Sequence, residues 1–190
     1  MKDVKRTQLR RVIMAILIRN PNLYYYQGFH DFVSVFLLTL DENLAFYCAN
    51  TASNYLISDF MLEGFEQGIF PMQDMISGLT EVLDPELAEM IQAGGGRPHF
   101  CISWLLTWFA HDIDCFSKVQ LIYDACLATH PCFVSYIIVA QMIISKNALL
   151  GRDTDGFDDD VTAFAPEDIA YMVFRSIKDN QMFSVDEAII

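Results

Sequence analysis

"LRRVIMAILIRNPNLYYYQGFHDFVSVFLLTL", residues 9–40, reads as two helices and the joint between them. Leu9, Val12, Ile13, Ile16 and Leu17 recur at i, i+3, i+4, i+7 and i+8, an apolar stripe with Arg10, Arg11 and Arg19 off it. Asn20–Pro21 ends that helix, because a proline ring pushes the preceding residue out of the α region. A second helix starts near Gly28 and runs through residues 31–40, too apolar all round to face water. In the joint, Tyr24, Tyr25 and Tyr26 run into Gln27 and Gly28. An amide has little hydrophobic reason to sit there, and a glycine weakens any helix that passes through it. Two readings of Gln27 follow: a cap satisfied by backbone groups at the helix start, or an amide held out toward a partner.

Outward from this stretch the helical pattern continues. "ENLAFYCANTASNYL", residues 42–56, predicts a third helix, and "EGFEQGIFP", residues 63–71, a turn. Met72, Met75, Ile76, Leu79, Val82 and Leu83 again keep helical spacing. Asp84–Pro85 is a start signal, an N-cap carboxylate followed by a proline at the first helical position. Gly94, Gly95 and Gly96 stop the chain in a turn, and no Lys-Ser/Thr follows to make them a phosphate loop. Residues 99–114, 117–130, 131–145 and 165–177 give further helical segments, the last with Ile169, Met172, Val173 and Ile177 on its buried face. No run alternates with period two for the length of a strand. The expectation is an all-α fold of about eight or more helices, in one domain spanning residues 1–190, with no internal repeat.

Composition narrows the partners. At 53% hydrophobic and 19% charged, 190 residues are too apolar for disorder and enough to bury a core. The net charge of −13 argues against nucleic acid, whose phosphates need clustered cations. That charge is unevenly spread: Lys2, Lys5, Arg6, Arg10, Arg11 and Arg19 face only Asp3 within residues 1–20, a net +5, and the other 170 residues carry −18. A basic end on an acidic body suits an anionic partner, and equally a solvated helix face. Five cysteines without a CxxC pair read as small apolar residues of a reduced interior, and the charged N-terminal residues lack the apolar core of a secretory signal. A cytoplasmic protein is expected.

Other chemistries fit poorly. Residues 125–145 carry no formal charge, but His130, Pro131, Ser135, Gln141 and Ser145 break them into two buried helices instead of a membrane span. With Gly156 as the sixth position of a calcium loop, Gly151 and Thr162 stand where acidic residues are required, so that reading fails. His111, Asp112, Asp114 and Cys115 surround a helix end without sharing a face, so a metal site is not expected. None of the five cysteines has the surroundings of a nucleophile with its base.

Three segments carry a family resemblance. "NPNLYYYQGFHDFVSVFLL", residues 20–38, resembles the YxQG motif of the TBC domain family, the GTPase-activating proteins of Rab GTPases, through Tyr25, Gln27 and Gly28, with Asp31 as the acidic residue that often follows. "ISWLLTWFAHDID", residues 102–114, resembles the family's Trp- and Phe-rich helix. "LIYDACLATHP", residues 121–131, resembles its Trp-Asp helix, here with Tyr123–Asp124. The likeness runs from about residue 9 to 145.

The resemblance implies an activator that is not itself the hydrolase. It lends two residues to a GTP-bound Rab, the arginine of an IxxDxxR motif and the glutamine of YxQG. A guanidinium neutralises charge gathering on the phosphoryl oxygens, and an amide orients the attacking water without having to ionise. On this chain the glutamine is Gln27. Asp3-Val4-Lys5-Arg6 matches DxxR and points to Arg6, although the motif's isoleucine would precede Met1. The Arg6–Gln27 interval is also several helical turns shorter than the family's. Either a loop has been shortened, or the chain is a truncated version, or Arg6 is an ordinary surface charge, with Arg10 and Arg11 as fallback cations. Tyr25, Gly28, Asp31 and Arg10 are the expected partner contacts. No cofactor of the chain's own is implied, since GTP and magnesium belong to the Rab, and the full-length protein is expected at internal membranes. The alternative functions are a TBC-fold module that grips a GTPase without speeding hydrolysis, and a helical membrane-anchored protein.

Overall fold

A computed structural model describes residues 2–64 and 66–150. The loop around Gly156 tested as a calcium site and the expected helix over residues 165–177 lie outside the described residues. Within them the chain is helical: α1 (Lys2–Arg19), α2 (Phe29–Thr39), α3 (Glu42–Tyr55), α4 (Ile69–Leu83), α5 (Pro85–Ala93), α6 (Ile102–Thr107), α7 (Phe116–Ala128), α8 (Phe133–Ile144) and the single turn α9 (Lys146–Leu149). Short 3₁₀ turns occupy Ser58–Met61 and His99–Cys101. The all-α expectation holds, and no strand occurs among the described residues.

α1, α2 and α3 pack on one another, α4 packs on α5 and α8, and α6 touches both α2 and α8. The apolar character of α2 explains its place between these groups, since it buries Phe29, Phe32, Val33, Val35, Phe36 and Leu37. α3 meets its neighbours through Ala45, Ala49, Ala52 and Ser53, small residues that let helix axes come close. Two aspartates cap helix starts, Asp84 as its Asp–Pro pair predicts and Asp41 without having been singled out by the sequence. Asp41 Oδ1 accepts the backbone N–H groups of Asn43 and Leu44 at 2.9 and 3.2 Å, and Asp84 Oδ1 accepts that of Leu87 at 3.2 Å ahead of Pro85. Gly95 and Gly96 take positive φ of 104° and 83°, the turn expected of the glycine triplet.

The segment 99–114 departs from one continuous helix. α6 ends at Thr107, and Trp108 and Phe109 turn left-handed with φ of 48° and 65°. Both rings are buried, Trp108 against α2 and α7 and Phe109 against Trp104 of α6. The left-handed pair turns the chain and lets both rings enter. Trp108 then meets Phe32 edge-on at 5.0 Å and Tyr123 at 5.2 Å, while Phe109 stacks on Trp104 at 5.4 Å.

The uncharged tract 125–145 is divided as its His–Pro pair predicts, α7 ending at Ala128 and α8 beginning at Phe133. No helix among the described residues is long and apolar enough to cross a membrane. The thiols differ sharply in environment. Cys101 and Cys126 are buried, and burial pushes each thiol up to about 12. Cys115 is exposed, with its pKa lowered by a hydrogen bond from Ser117 and then by the Lys118 N–H. Because the thiolate is the reacting species, a maleimide at neutral pH is expected to modify Cys115 in the native protein and leave Cys101 and Cys126 untouched until denaturant is added. Peptide mapping by mass spectrometry checks this.

Candidate functional site

The joint between α1 and α2 is held from several directions. Asn20, just past α1, donates through Nδ2 to Ile16 O at 2.7 Å and to Asn50 Oδ1 at 2.8 Å. Tyr24 N–H donates to Met61 O at 2.6 Å, and the Tyr26 hydroxyl donates to Leu106 O at 2.7 Å. Burial pushes the Tyr26 phenol far above its ordinary value, so it stays a protonated donor. Gly28 follows with φ 110° and ψ −18°, and its carbonyl accepts from Asp31 N–H at 2.9 Å and Phe32 N–H at 3.2 Å to open α2. A Cβ on Gly28 would meet the Thr107 methyl at 3.0 Å. Both features demand glycine. Gly28→Ala is expected to destabilise the fold by about 1–3 kcal/mol, the usual cost of an unfavourable positive φ, read as a lower midpoint of chemical denaturation.

Gln27 stands between two residues that turn inward, and its own side chain is exposed. Gly28 is the N-cap of α2, with no side-chain hydrogen bond to that helix start, so the amide of Gln27 is not used there. Among the described residues its side chain makes no hydrogen bond. Beside it lies a polar cluster. The Tyr25 hydroxyl donates to His30 Nδ1 at 2.9 Å, His30 Nε2 lies 3.5 Å from Asp31 Oδ1, and His111 Nδ1–H donates to Asp31 Oδ2 at 2.9 Å. Tyr25, Gly28 and Asp31, the expected partner contacts, therefore lie within four residues of Gln27 along the chain, at the N-terminal end of α2. The sequence around His111 suggests at most a metal ligand, and its pairing with Asp31, 80 residues away, carries no local signal. Among the described residues no group of three or more His, Cys, Asp or Glu side chains gathers as a metal site. Asp112 is taken by Ser103, whose hydroxyl donates to Oδ2 at 2.7 Å.

The cations lie elsewhere. α1 is unbroken from Lys2 to Arg19 and returns through a short joint into α2, so the two helices run antiparallel. Lys5 Nζ donates to Leu37 O at 3.0 Å, which fixes the N-terminal end of α1 at the C-terminal end of α2. Arg6 is exposed next to Lys5, about 20 Å of helix before Arg19 by the 1.5 Å rise per residue. Arg6 and Gln27 thus sit toward opposite ends of α2, and the structure does not bring them together. The reason is the short interval between them: with no loop to spare, the residues after Arg6 are all spent in one rigid helix. Arg10 is exposed on the same helix. Arg11 forms a two-point ion pair with Glu42, at 2.8 and 2.7 Å, and so ties α1 to α3.

The family whose model matches residues 1–150 is described as the Rab-GTPase-TBC domain. This chain belongs to that family. TBC1 domain family member 20 of Bos taurus is 34% identical over 151 residues, covering 78% of this chain and 36% of that protein. The Homo sapiens protein of that name gives the same figures. The GTPase-activating protein gyp10 of Schizosaccharomyces pombe is 30% identical over 145 residues, covering 76% of this chain and 39% of its own length. The chain thus spans well under half the length of these relatives. Within the TBC fold described here, Tyr25 and Gln27 are the motif residues that reach solvent, while Tyr26 and Gly28 build the support.

Proposed function

We propose that this TBC domain accelerates GTP hydrolysis by a Rab-family GTPase in its GTP form, with Gln27 as the amide that orients the attacking water. The observation that carries the proposal is the exposed Gln27 side chain on a joint clamped by Tyr26 and Gly28. An amide can accept from the water through its oxygen and donate through its nitrogen, so one side chain can line water up with the phosphorus. GTP and magnesium enter with the Rab, and the site of action is the cytoplasmic surface of internal membranes. In the two-residue mechanism the guanidinium would come from Arg6, which requires the first turns of α1 to leave α2. Among the described residues Lys5 and Arg11 hold that helix in place.

The same separation of Arg6 from Gln27 favours a second reading, a TBC module that grips a Rab and lends it no arginine. A panel of GTP-loaded Rabs, assayed for binding and for single-turnover hydrolysis with this chain, tests both. Strong acceleration of one Rab supports the first reading. Tight binding with an unchanged rate supports the second, and neither binding nor acceleration overturns both.

A further inference from the structure

We propose that His111, through Asp31, positions Gln27, a role that rests on the Rab-directed reading above. His111 is not a catalytic residue in this account; its work is done on the backbone that carries Gln27. The first turn of α2 contains Asp31, whose carboxylate receives His111 Nδ1–H at 2.9 Å on one oxygen and faces His30 Nε2 at 3.5 Å on the other. His30 in turn takes the Tyr25 hydroxyl at 2.9 Å. One proton arrangement serves the whole chain, with His30 protonated on Nε2 and His111 on Nδ1. Residues on both sides of Gln27 are thereby tied to a histidine from another part of the sequence.

A second set of contacts meets the first at Thr107. Its methyl lies against Gly28, its hydroxyl accepts the His111 backbone N–H at 3.3 Å, and its carbonyl accepts the Tyr123 hydroxyl at 2.9 Å. Between Thr107 and His111 the chain passes through Trp108 and Phe109, both left-handed without being glycine. L-residues disfavour that region, and such pairs persist where the surroundings over-determine them, often beside functional sites. Here the buried rings of Trp108 and Phe109 lock the turn, and the turn delivers His111 to Asp31. The side chain of His111 is 58% exposed, so this strained delivery serves little burial of its own. What it secures is the direction of the α2 start, where Gln27 must meet a water held by another protein. Small displacements of such groups cost rate more than binding.

The test uses the full chain and the variants His111→Ala, His111→Asn and Asp31→Asn. An asparagine amide nitrogen falls near the Nδ1 position of a histidine, so His111→Asn keeps the donor and His111→Ala removes it. The first measurement needs no Rab: the NMR relaxation of the Gln27 backbone amide N–H reports how firmly the joint that carries the side chain is held. We expect it to become mobile in His111→Ala and to stay near wild type in His111→Asn. The second uses the responding Rab, where His111→Ala is expected to lower the maximal hydrolysis rate about 10–100-fold and to leave half-saturation within about threefold. Asp31→Asn, which weakens the acceptor of both histidines, should follow His111→Ala in both measurements. A Gln27 backbone amide equally ordered in His111→Ala and wild type overturns the inference, as does an unchanged maximal rate in an active protein. If no Rab responds while the amide still loosens in His111→Ala and recovers in His111→Asn, the positioning stands and the activator reading fails.

Discussion

Gln27→Ala is expected to reduce the maximal rate of Rab GTP hydrolysis about 10²–10³-fold, the loss typical when one fixed polar group is removed from a reacting centre. That corresponds to about 3–4 kcal/mol of barrier. Binding of the GTP-loaded Rab should change little, because orienting water is a contribution made chiefly in the transition state and a group of that kind moves rate more than affinity. Stability should stay within about 0.5 kcal/mol, since an exposed side chain with no hydrogen bond among the described residues leaves nothing buried behind. Phosphate release under single-turnover conditions checks the rate, and a denaturation curve checks the fold. Equal rates for Gln27→Ala and wild type on a responding Rab would remove the amide from the mechanism. Arg6→Ala is the companion measurement. With α1 packed as described, Arg6 is remote from Gln27 and its removal should alter the rate less than about threefold, the reach of a weak charge effect. A loss of about 10³–10⁵, or 4–7 kcal/mol, would mean that Arg6 attains the phosphate and that α1 moves when a Rab binds.

The sequence made helices legible wherever their boundaries are set by local chemistry. Asn20–Pro21 and Asp84–Pro85 mark ends and starts because a proline constrains φ and an aspartate caps nearby N–H groups, and neither effect needs a partner from elsewhere. The turn expected over residues 63–71 is shorter at its far end, since α4 already begins at Ile69 and holds Pro71 within its first turn, where the missing N–H costs nothing. The end of α6 was not legible. "SWLLTWFAH" continues a helical pattern, and what ends it is the left-handed turn at Trp108 and Phe109 that seats two neighbouring rings on different partners, a property of the packed fold. At the site, Gln27 and Gly28 stood out because an amide and a glycine contradict their aromatic surroundings. His111 did not, because a histidine shows its role only when its acceptor is known, and Asp31 lies 80 residues away. Arg6 shows the opposite case: the motif named it, while its distance from Gln27 depends on how α1 lies against α2.

Phe32→Ala is expected to cost about 3–5 kcal/mol, the range for deleting a fully buried phenyl group. Phe32 is 0% exposed and sits at the centre of the aromatic core, 5.0 Å from Trp108, 5.5 Å from both Phe36 and Tyr123, and 6.2 Å from Phe29. These neighbours belong to α2 itself, to the turn after α6 and to α7, so the ring has no single element that can close over the gap. Each ring pair adds about 0.5–1.5 kcal/mol beyond area burial, and the edge-on contact with Trp108 is lost with the rest. Against a total stability of about 5–15 kcal/mol, the variant should unfold at a much lower urea concentration with little change in slope. Phe32→Leu keeps most of the volume and should cost about 1–2 kcal/mol, which separates the cavity from the lost ring contacts. The loss should reach the site as well. The Tyr123 hydroxyl donates to Thr107 O, and the Trp108 ring anchors the turn that delivers His111, so a void at Phe32 loosens both supports of Gly28. Phe32→Leu should therefore retain the fold under assay conditions and still lose part of the hydrolysis rate. If its rate matches wild type on a responding Rab, the core does not set the geometry at Gln27.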